Sequence, residues 1–288
     1  MGKRSGRIGA GSTAQTAEAL MHRIDRPRRL SLPSRVCVGA TLCLVVLARP
    51  TTATTLVVLV SKRAIVIGAD SMRTLAAGGT EAVCKIHDRD GIVYGFAGAV
   101  SSDRFEAAAI ARQELTGAGD LRQKATRIAE ALQAGLVEHF KTRRIDRTRR
   151  ELVEGQRGRP VTGFIAAVVD GKPQGFLILV LAAPSADGVT LTTKVEPLDT
   201  MGPDRAIFLS SQHEEVIERA NRTMSGRANA SAAELMAAAG ELVNLDLALE
   251  AQRSPAQRKS GPPTAVAILD RDGFRLALPG VCTRSARE

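Results

Sequence analysis

The sequence predicts an α+β fold: a four-layer αββα sandwich of two stacked antiparallel sheets, each flanked by a pair of helices. The first observation is the order of the predicted elements, which is strands, two helices, strands, two helices and a final strand pair. Helices that come in pairs argue against a doubly wound parallel sheet, in which helices and strands alternate singly. The second observation is that the strands are nearly continuous apolar runs, as expected for strands covered on both faces.

The first predicted strands form a hairpin. Thr55–Ser61 and Ala64–Ser71 are apolar runs rich in β-branched residues, joined by a two-residue turn. Met72–Ala82 contains glycines and is predicted to be a loop.

A second hairpin and two helices follow. Val83–His87 and Ile92–Ala97 flank a turn that ends in an Asp-Gly pair. Ser101-Ser102-Asp103 has the composition of a helix N-cap. Apolar residues at intervals of three and four then predict helices over Arg104–Leu115 and Leu121–Lys141.

The second half of the chain repeats the change from strands to helices. Four strands are predicted: Phe164–Val169, Gly175–Leu181, Val189–Val195 and Ala206–Leu209. Helices are predicted over Glu214–Arg222 and Ala232–Gln252, and a last hairpin over Thr264–Leu269 and Phe274–Leu278. No domain linker interrupts this series, so we expect one domain over residues 54–288.

An apolar segment near the N-terminus predicts a leader. Val36–Ala48 is uncharged and too short for a membrane-spanning helix, which needs about 20 residues, but it has the length of a signal-peptide core. Basic residues precede it, and Thr51-Thr52-Ala53 ends in a small residue suited to cleavage. We therefore expect residues 1–53 to be removed, with translation starting at Met1 or Met21, although an uncleaved anchor and a buried strand remain alternatives. This leader implies a periplasmic or secreted location, with membrane contact only through the leader itself.

The charge distribution argues against nucleic acid as a partner. The net charge is +10, but residues 1–53 hold nine Lys/Arg and two Asp/Glu, so most of the excess belongs to the leader. The basic run Lys141–Arg150 has no interleaved aromatic residues for base stacking. The four histidines lack metal-ligand spacing, so no metal or cofactor is expected. Cys84 and Cys282 allow one disulfide in an oxidising compartment.

Four spaced motifs carry a resemblance to a known family. They are Thr54-Thr55-Leu56-Val57-Val58, Ile65–Arg73, Cys84-Lys85-Ile86-His87 and Tyr94-Gly95-Phe96-Ala97-Gly98. In this order they resemble the start of proteasome β-type subunits, which are N-terminal-nucleophile hydrolases, and the peptidase subunit of the bacterial two-component ATP-dependent protease. The resemblance covers about Thr54 to Asp103 and returns weakly at Ser260-Gly261-Pro262.

The resemblance implies a role for each matching residue. Thr54 would be the nucleophile, and its own α-amino group, freed by cleavage after Ala53, would be the base. Lys85 would stabilise the alkoxide, Asp70 would hold Lys85, and the Gly98 N–H would bind the oxyanion. The family has a step of sixteen residues from its nucleophile to its acid, as from Thr54 to Asp70. A mature N-terminus at another threonine would break this spacing. Assembly into a homo-oligomer is also implied.

The sequence departs from the family pattern at its supporting residues. The family's Gly-Ser-Gly is matched incompletely by Ser210-Ser211 or by Gly202-Pro203. Its late Ser-Gly-Gly becomes Ser260-Gly261-Pro262, and the acid three residues before that serine becomes Gln257. Ser211 and Ser260 are the supporting candidates. The loop before Lys85 has no fixed length, so Glu81 is an alternative occupant of the lysine position.

Two functions follow from these motifs. The first is an exported threonine-type amidohydrolase or peptidase, matured by leader removal. Because export separates it from ATP-driven unfoldases, small peptides or amides are its expected substrates. The alternative is a non-catalytic proteasome-like subunit or assembly protein, which the incomplete second-half motifs would explain.

Overall fold

Apolar runs of the sequence form the strands of two antiparallel sheets in this α+β chain. The computed structural model describes residues 55–74, 79–102, 105–141, 153, 158–186, 188–198, 206–208, 213–254, 258 and 260–282. The predicted leader, Thr54, Ser211 and the basic run after Lys141 lie outside these residues. Of the helices described, none combines the length and the apolar character that a transmembrane span requires.

The secondary structure follows the predicted order. The strands are β1 Leu56–Val60, β2 Ala64–Ala69, β3 Met72–Thr74, β4 Thr80–Ala82, β5 His87–Arg89, β6 Ile92–Gly98, β7 Ser101–Ser102, β8 Phe105–Glu106, β9 Val161–Val169, β10 Lys172–Ser185, β11 Gly188–Pro197, β12 Ala206–Phe208, β13 Ala265–Asp270 and β14 Gly273–Leu278. The helices are α1 Ala107–Leu115, α2 Leu121–Phe140, α3 Glu214–Met224 and α4 Ala232–Ala251.

Two five-stranded sheets organise the described residues. The first has the strand order β12-β1-β2-β13-β14, and the second has the order β11-β10-β9-β6-β5. All neighbouring strands within them pair antiparallel. The hairpin predicted at the start of the chain is therefore confirmed as β1–β2, with Leu56 opposite Ala69 and Val60 opposite Ile65.

The faces of the strands are buried in three apolar clusters. One cluster takes residues from both sheets, for example Leu56 and Ile67 from the first sheet and Phe164 from the second. A second cluster joins the other face of the second sheet to α1 and α2. The third joins the other face of the first sheet to α3 and α4, with Val57 and Leu242 among its members. Strand β1 therefore buries both faces, which explains its uninterrupted apolar sequence.

Two local predictions were wrong. The expected strand over residues 83–87 is reduced to β5, which begins at His87, because Cys84 is linked to Cys282 and Lys85 is turned away to contact Asp70. The expected loop over residues 72–82 contains the short β3–β4 pair at its two ends.

The predicted N-cap of the first helix was also wrong. Helix α1 begins at Ala107 with Glu106 at the N-cap position and no side-chain cap. Ser101 and Ser102 instead pair with Phe105 and Glu106 as β7 and β8. Two other helices carry complete capping boxes, from Asp120 in α2 and Ser231 in α4.

Tyr94 gives a stability prediction. It is fully buried in β6 and its hydroxyl has no hydrogen-bond partner among the described residues. A buried hydroxyl without a partner keeps its desolvation penalty of about 1–3 kcal/mol. We therefore expect Tyr94→Phe to leave the free energy of unfolding unchanged or to raise it by about 1 kcal/mol, measured by urea denaturation. A loss of more than about 1 kcal/mol would show that the hydroxyl has a partner.

Candidate active site

The carboxylate of Asp70 is the centre of the candidate site. Asp70 follows β2, is fully buried and accepts four hydrogen bonds. Oδ1 accepts from Lys85 Nζ at 2.7 Å and from the Thr55 backbone N–H at 2.7 Å. Oδ2 accepts from the backbone N–H groups of Met72 at 3.0 Å and Gly261 at 3.2 Å. Four donors on one carboxylate stabilise its charged form.

Burial and charge pairing act in opposite directions on the Asp70–Lys85 pair. Burial raises the pKa of Asp70, while the Lys85 ammonium and the Met72 and Gly261 N–H groups oppose the rise. Burial likewise lowers the pKa of Lys85, and the Asp70 carboxylate opposes that fall. The two charged groups therefore depend on each other, since an unpaired charge at this depth is costly.

The structure decides between the two candidates for the lysine position. Lys85 lies beside Asp70, whereas Glu81 contacts Arg73 on the neighbouring strand β3. The segment that carries Lys85 is anchored on both sides, by the Cys84–Cys282 disulfide before it and by the buried Ile86 after it. The position of Lys85 is thus fixed by both of its neighbours in the sequence. The disulfide that the sequence allowed between Cys84 and Cys282 is formed in the structure.

The predicted nucleophile Thr54 lies just outside the described residues, but its neighbour is well defined. Thr55 is buried, its N–H donates to Asp70, and its carbonyl accepts from the Asp70 N–H at 3.0 Å. The backbone nitrogen of Thr55, the residue after Thr54, is therefore hydrogen-bonded to the same carboxylate that binds Lys85.

A second buried carboxylate, which the sequence analysis missed, lies behind this pair. Asp246 on α4 accepts hydrogen bonds at Oδ2 from the hydroxyls of Thr55 and Ser260, the latter at 3.2 Å. Ser260 was predicted as a supporting residue, and it is buried at this point. The Asp246 carboxylate also acts to raise the pKa of Lys85.

The sequence did contain a signal for Asp246. Helix α4 buries a stripe that includes Leu235, Ala239 and Leu242, and the stripe continues to Asp246 and Glu250. Acidic residues are rarely fully buried without partners. An acid on the apolar stripe of a helix therefore indicates a specific buried contact.

Gly98 ends β6 in a conformation that other residues rarely adopt. Its φ is +100°, and an added Cβ would lie 2.3 Å from the carbonyl oxygen of Pro160. Glycine is thus required by the backbone here, independently of the oxyanion role that the resemblance implies. Ser211, the other supporting candidate, lies outside the described residues.

A cavity of about 240 Å³ opens beside Lys85. Its lining residues are Arg73, Val83, Cys84, Lys85, His87, Phe96, Val100, Glu106 and Ala108. They come from β3, from the segment around Lys85, from β6 and the residues after it, and from the start of α1. The cavity is therefore part of the same site as the Asp70–Lys85 pair.

His87 forms one wall of this cavity. Its ring stacks on Tyr94 with ring centroids 5.3 Å apart. Burial, together with the positive charge of Arg112, lowers the pKa of His87 to about 4. The imidazole is therefore neutral at pH 7. Within the described residues, no group of three His, Cys, Asp or Glu side chains is placed to hold a metal ion.

Comparisons with known proteins find likenesses among solved structures. No protein-family model matches the sequence, and no curated protein matches it. Among solved structures, an Anbu (Gly-1) mutant from Hyphomicrobium sp. strain MC1 aligns with 78% of this chain and 85% of its own. The sequence identity is 15% and the TM-score is 0.48.

Removing the charge of Asp70 tests the buried pair. We expect Asp70→Asn to lower the free energy of unfolding by about 3–5 kcal/mol, because it leaves the Lys85 ammonium buried without its counter-ion. Urea denaturation measures this loss. Asp272→Asn is the matched control, since Asp272 is exposed in a turn, and we expect it to change stability by less than about 0.5 kcal/mol.

His87 predicts a pH dependence of stability. Its pKa of about 4 in the folded protein is below the ordinary histidine value of 6.5. On lowering the pH, the unfolded protein takes up a proton on His87 near pH 6.5, whereas the folded protein does so only near pH 4. The free energy of unfolding therefore keeps its full value above pH 6.5 and falls as the pH is lowered from 6.5 towards 4. We expect the protein to lose about 2 kcal/mol from this histidine between pH 8 and pH 5, measured by urea denaturation.

The control for this prediction is His87→Gln, which cannot titrate. We expect the loss of stability between pH 8 and pH 5 to be about 2 kcal/mol smaller in this variant than in the wild type. Equal losses in the two proteins would show that His87 is not the group responsible.

Proposed function

We propose that this chain is an exported threonine-type amidohydrolase or peptidase of the proteasome β-like, N-terminal-nucleophile type. Leader removal after Ala53 would leave Thr54 as the first residue. Residues 54–288 would form the mature domain, and the positions of the three apolar clusters support an αββα sandwich for it. Small peptides or amides are the proposed substrates.

One observation carries the proposal. Asp70 Oδ1 accepts hydrogen bonds both from Lys85 Nζ and from the Thr55 nitrogen, each at 2.7 Å. Since that nitrogen is joined covalently to Thr54, its hydrogen bond to Asp70 supports a role for the buried ammonium next to the residue that leader cleavage would expose. This is the arrangement that an attacking alkoxide needs, because the positive charge favours the ionised hydroxyl.

The proposed reaction proceeds in two steps. Thr54 Oγ attacks the substrate carbonyl carbon and gives its proton to its own α-amino group, since the pKa of a free α-amino group is ordinarily about 7.7–8.0. The tetrahedral oxyanion is stabilised by the Gly98 N–H and by Lys85. The C–N bond then breaks, the leaving amine takes the proton, and an ester remains on Thr54. Water hydrolyses this ester by the same route and restores the free hydroxyl.

Asp246 supports the proposal because it supplies a carboxylate where the family motif is incomplete. Gln257 occupies the expected position of the supporting acid. Asp246, from a different part of the chain, binds the hydroxyls of Ser260 and Thr55 instead. The buried hydroxyls of Thr55 and Ser260 are thus paired with Asp246, as a preorganised site requires.

The Cys84–Cys282 disulfide supports the proposed export. Disulfides persist in oxidising compartments and are rare in the cytosol. We propose a periplasmic or secreted location on this ground together with the leader. Assembly into a homo-oligomer is carried over from the family resemblance alone.

The deciding experiment combines the mature N-terminus with two substitutions at the nucleophile. N-terminal sequencing or intact-mass analysis of the secreted protein should place the first residue at Thr54. In a screen of peptide and amide substrates, we expect Thr54→Ala to lower kcat/KM by at least about 10³-fold, because it removes the attacking oxygen. Thr54→Ser keeps a hydroxyl and should retain measurable turnover.

Two results would contradict this function. Turnover that survives Thr54→Ala, or turnover by a protein that begins elsewhere, would exclude the proposed nucleophile. A protein that begins at Thr54 but neither cleaves any substrate nor reacts with an electrophile specific for an N-terminal threonine would favour the alternative, a non-catalytic proteasome-like subunit. Pro262 in place of the motif's second glycine is the feature that favours this alternative.

A further inference from the structure

We propose that the Cys84–Cys282 disulfide is a thiol-sensitive switch for the candidate site. A low-molecular-weight thiol attacks Cys84 Sγ, breaks the bond to Cys282 and releases the segment that carries Lys85. The switch goes beyond the proposed hydrolase function, because it controls the geometry around Lys85 for any reaction that the site performs.

The segment that carries Lys85 depends on side-chain contacts for its position. The residues between β4 and β5 belong to neither strand. Before Lys85, Cys84 is bonded to Cys282. Lys85 itself contacts Asp70, and Ile86 after it is buried. Because the segment lacks strand pairing, it opens at a lower free energy than the paired core strands. Loss of the disulfide therefore changes this segment before it changes the sheets.

A turn at the C-terminal end of β14 fixes the other cysteine to the fold. The Cys282 N–H donates to the Pro279 carbonyl at 2.7 Å. Gly280, inside this turn, approaches Ser71 so closely that an added Cβ would lie 3.2 Å from Ser71 Oγ. Ser71 lies between β2 and β3. The disulfide therefore ties the Lys85 segment to a turn that is packed against the first sheet.

The two sulfur atoms differ in exposure. Cys282 is buried, with 3% of its surface exposed. Cys84 is partly exposed and lines the cavity beside Lys85, which has a volume of about 240 Å³. The rate of thiol–disulfide exchange depends on which sulfur atom the thiolate can reach. The cavity gives a small thiol a route to Cys84, so Cys84 Sγ is the atom that is attacked.

The exchange proceeds in two steps. A thiolate RS⁻ forms a bond to Cys84 Sγ while the bond to Cys282 breaks, and the Cys282 thiolate takes a proton from water. A second thiolate then attacks the sulfur atom of the bound thiol, which releases Cys84 and gives the disulfide RSSR. Two thiol molecules are thus oxidised, and one protein disulfide is reduced to two thiols. The same reagent RSSR reverses both steps.

Reduction leaves the Asp70–Lys85 ion pair to hold the segment together with the buried Ile86. Both charged side chains of the pair are buried, and an unpaired charge at this depth is costly. The pair is therefore favourable only while the two side chains remain in contact. A looser segment lowers the fraction of molecules in which Lys85 lies beside Asp70, so the oxidised protein has the assembled site and the reduced protein has an opened one.

The first experiment identifies the cysteine that a thiol attacks. The folded, oxidised protein is incubated with reduced glutathione, quenched with acid and digested, and mass spectrometry locates the mixed disulfide. We expect the adduct on Cys84 to exceed the adduct on Cys282 by about tenfold or more. The two single variants are matched controls. With N-ethylmaleimide, Cys84 in Cys282→Ser should react about tenfold or more faster than Cys282 in Cys84→Ser.

The second experiment measures the opening of the segment. Hydrogen exchange is followed by mass spectrometry in the oxidised protein, in the reduced protein and in the double variant Cys84→Ser/Cys282→Ser. At short exchange times, we expect peptides over residues 83–86 to exchange about tenfold or more faster in the reduced protein and in the double variant. Peptides from β10 are the control, because this strand is paired on both sides, and they should change by less than about twofold.

Turnover separates this inference from the proposed function. If the mature protein cleaves amides, we expect reduction to lower kcat/KM by about tenfold or more and reoxidation to restore it, while the double variant does not respond to the reductant. Faster exchange over residues 83–86 in a protein that cleaves no amide would support the switch and count against the hydrolase alone.

Four results would overturn the switch. They are preferential attack at Cys282, unchanged exchange over residues 83–86 after reduction, equal acceleration in these residues and in β10, and full turnover by the reduced protein. Equal acceleration would mean that the disulfide acts on global stability and has no separate effect on the site.

Discussion

The site depends on one buried carboxylate that joins distant parts of the chain. Asp70 binds the strand that follows Thr54, the side chain of Lys85 and the backbone of Gly261. The contact with Thr55 lies at the end of the β1–β2 hairpin, whereas Lys85 and Gly261 come from segments outside it. Because the carboxylate is fully buried, each donor offsets part of the cost of removing its charge from water. The backbone nitrogens of Thr55 and Gly261 and the charge of Lys85 therefore depend on the same group.

The α+β composition and most of the helices and strands could be predicted because their periodicity is local. Strand β1 is uninterrupted in its apolar character for the simple reason that a helix pair covers one face and the second sheet covers the other. The segment from Val83 to Ile86 was mispredicted as a strand because its shape is set by two distant residues, Asp70 and Cys282. Sequence pattern carries no record of such contacts.

The residues of the candidate site likewise fall into those that could be predicted from the sequence and those that could not. Asp70 and Lys85 could be placed together from spaced motifs, and the structure brings them into contact. Asp246 could not be placed by motif, because the motif directs attention to Gln257, whereas the carboxylate that binds Ser260 lies on a helix fourteen residues before that serine. A hydrogen bond requires only that two atoms meet in space, so the same chemical role can move to another element. A sequence motif therefore could not locate this contact between Asp246 and Ser260.

The disulfide also places a condition on when the site can be completed. Cys84 and Cys282 are 198 residues apart, so the bond between them can form only after the chain has been synthesised as far as Cys282. The segment beside Lys85 therefore remains untethered until that point, and it is fixed only where thiols can be oxidised. The geometry around Lys85 is thus linked to the redox state of two cysteines that are far apart in the sequence.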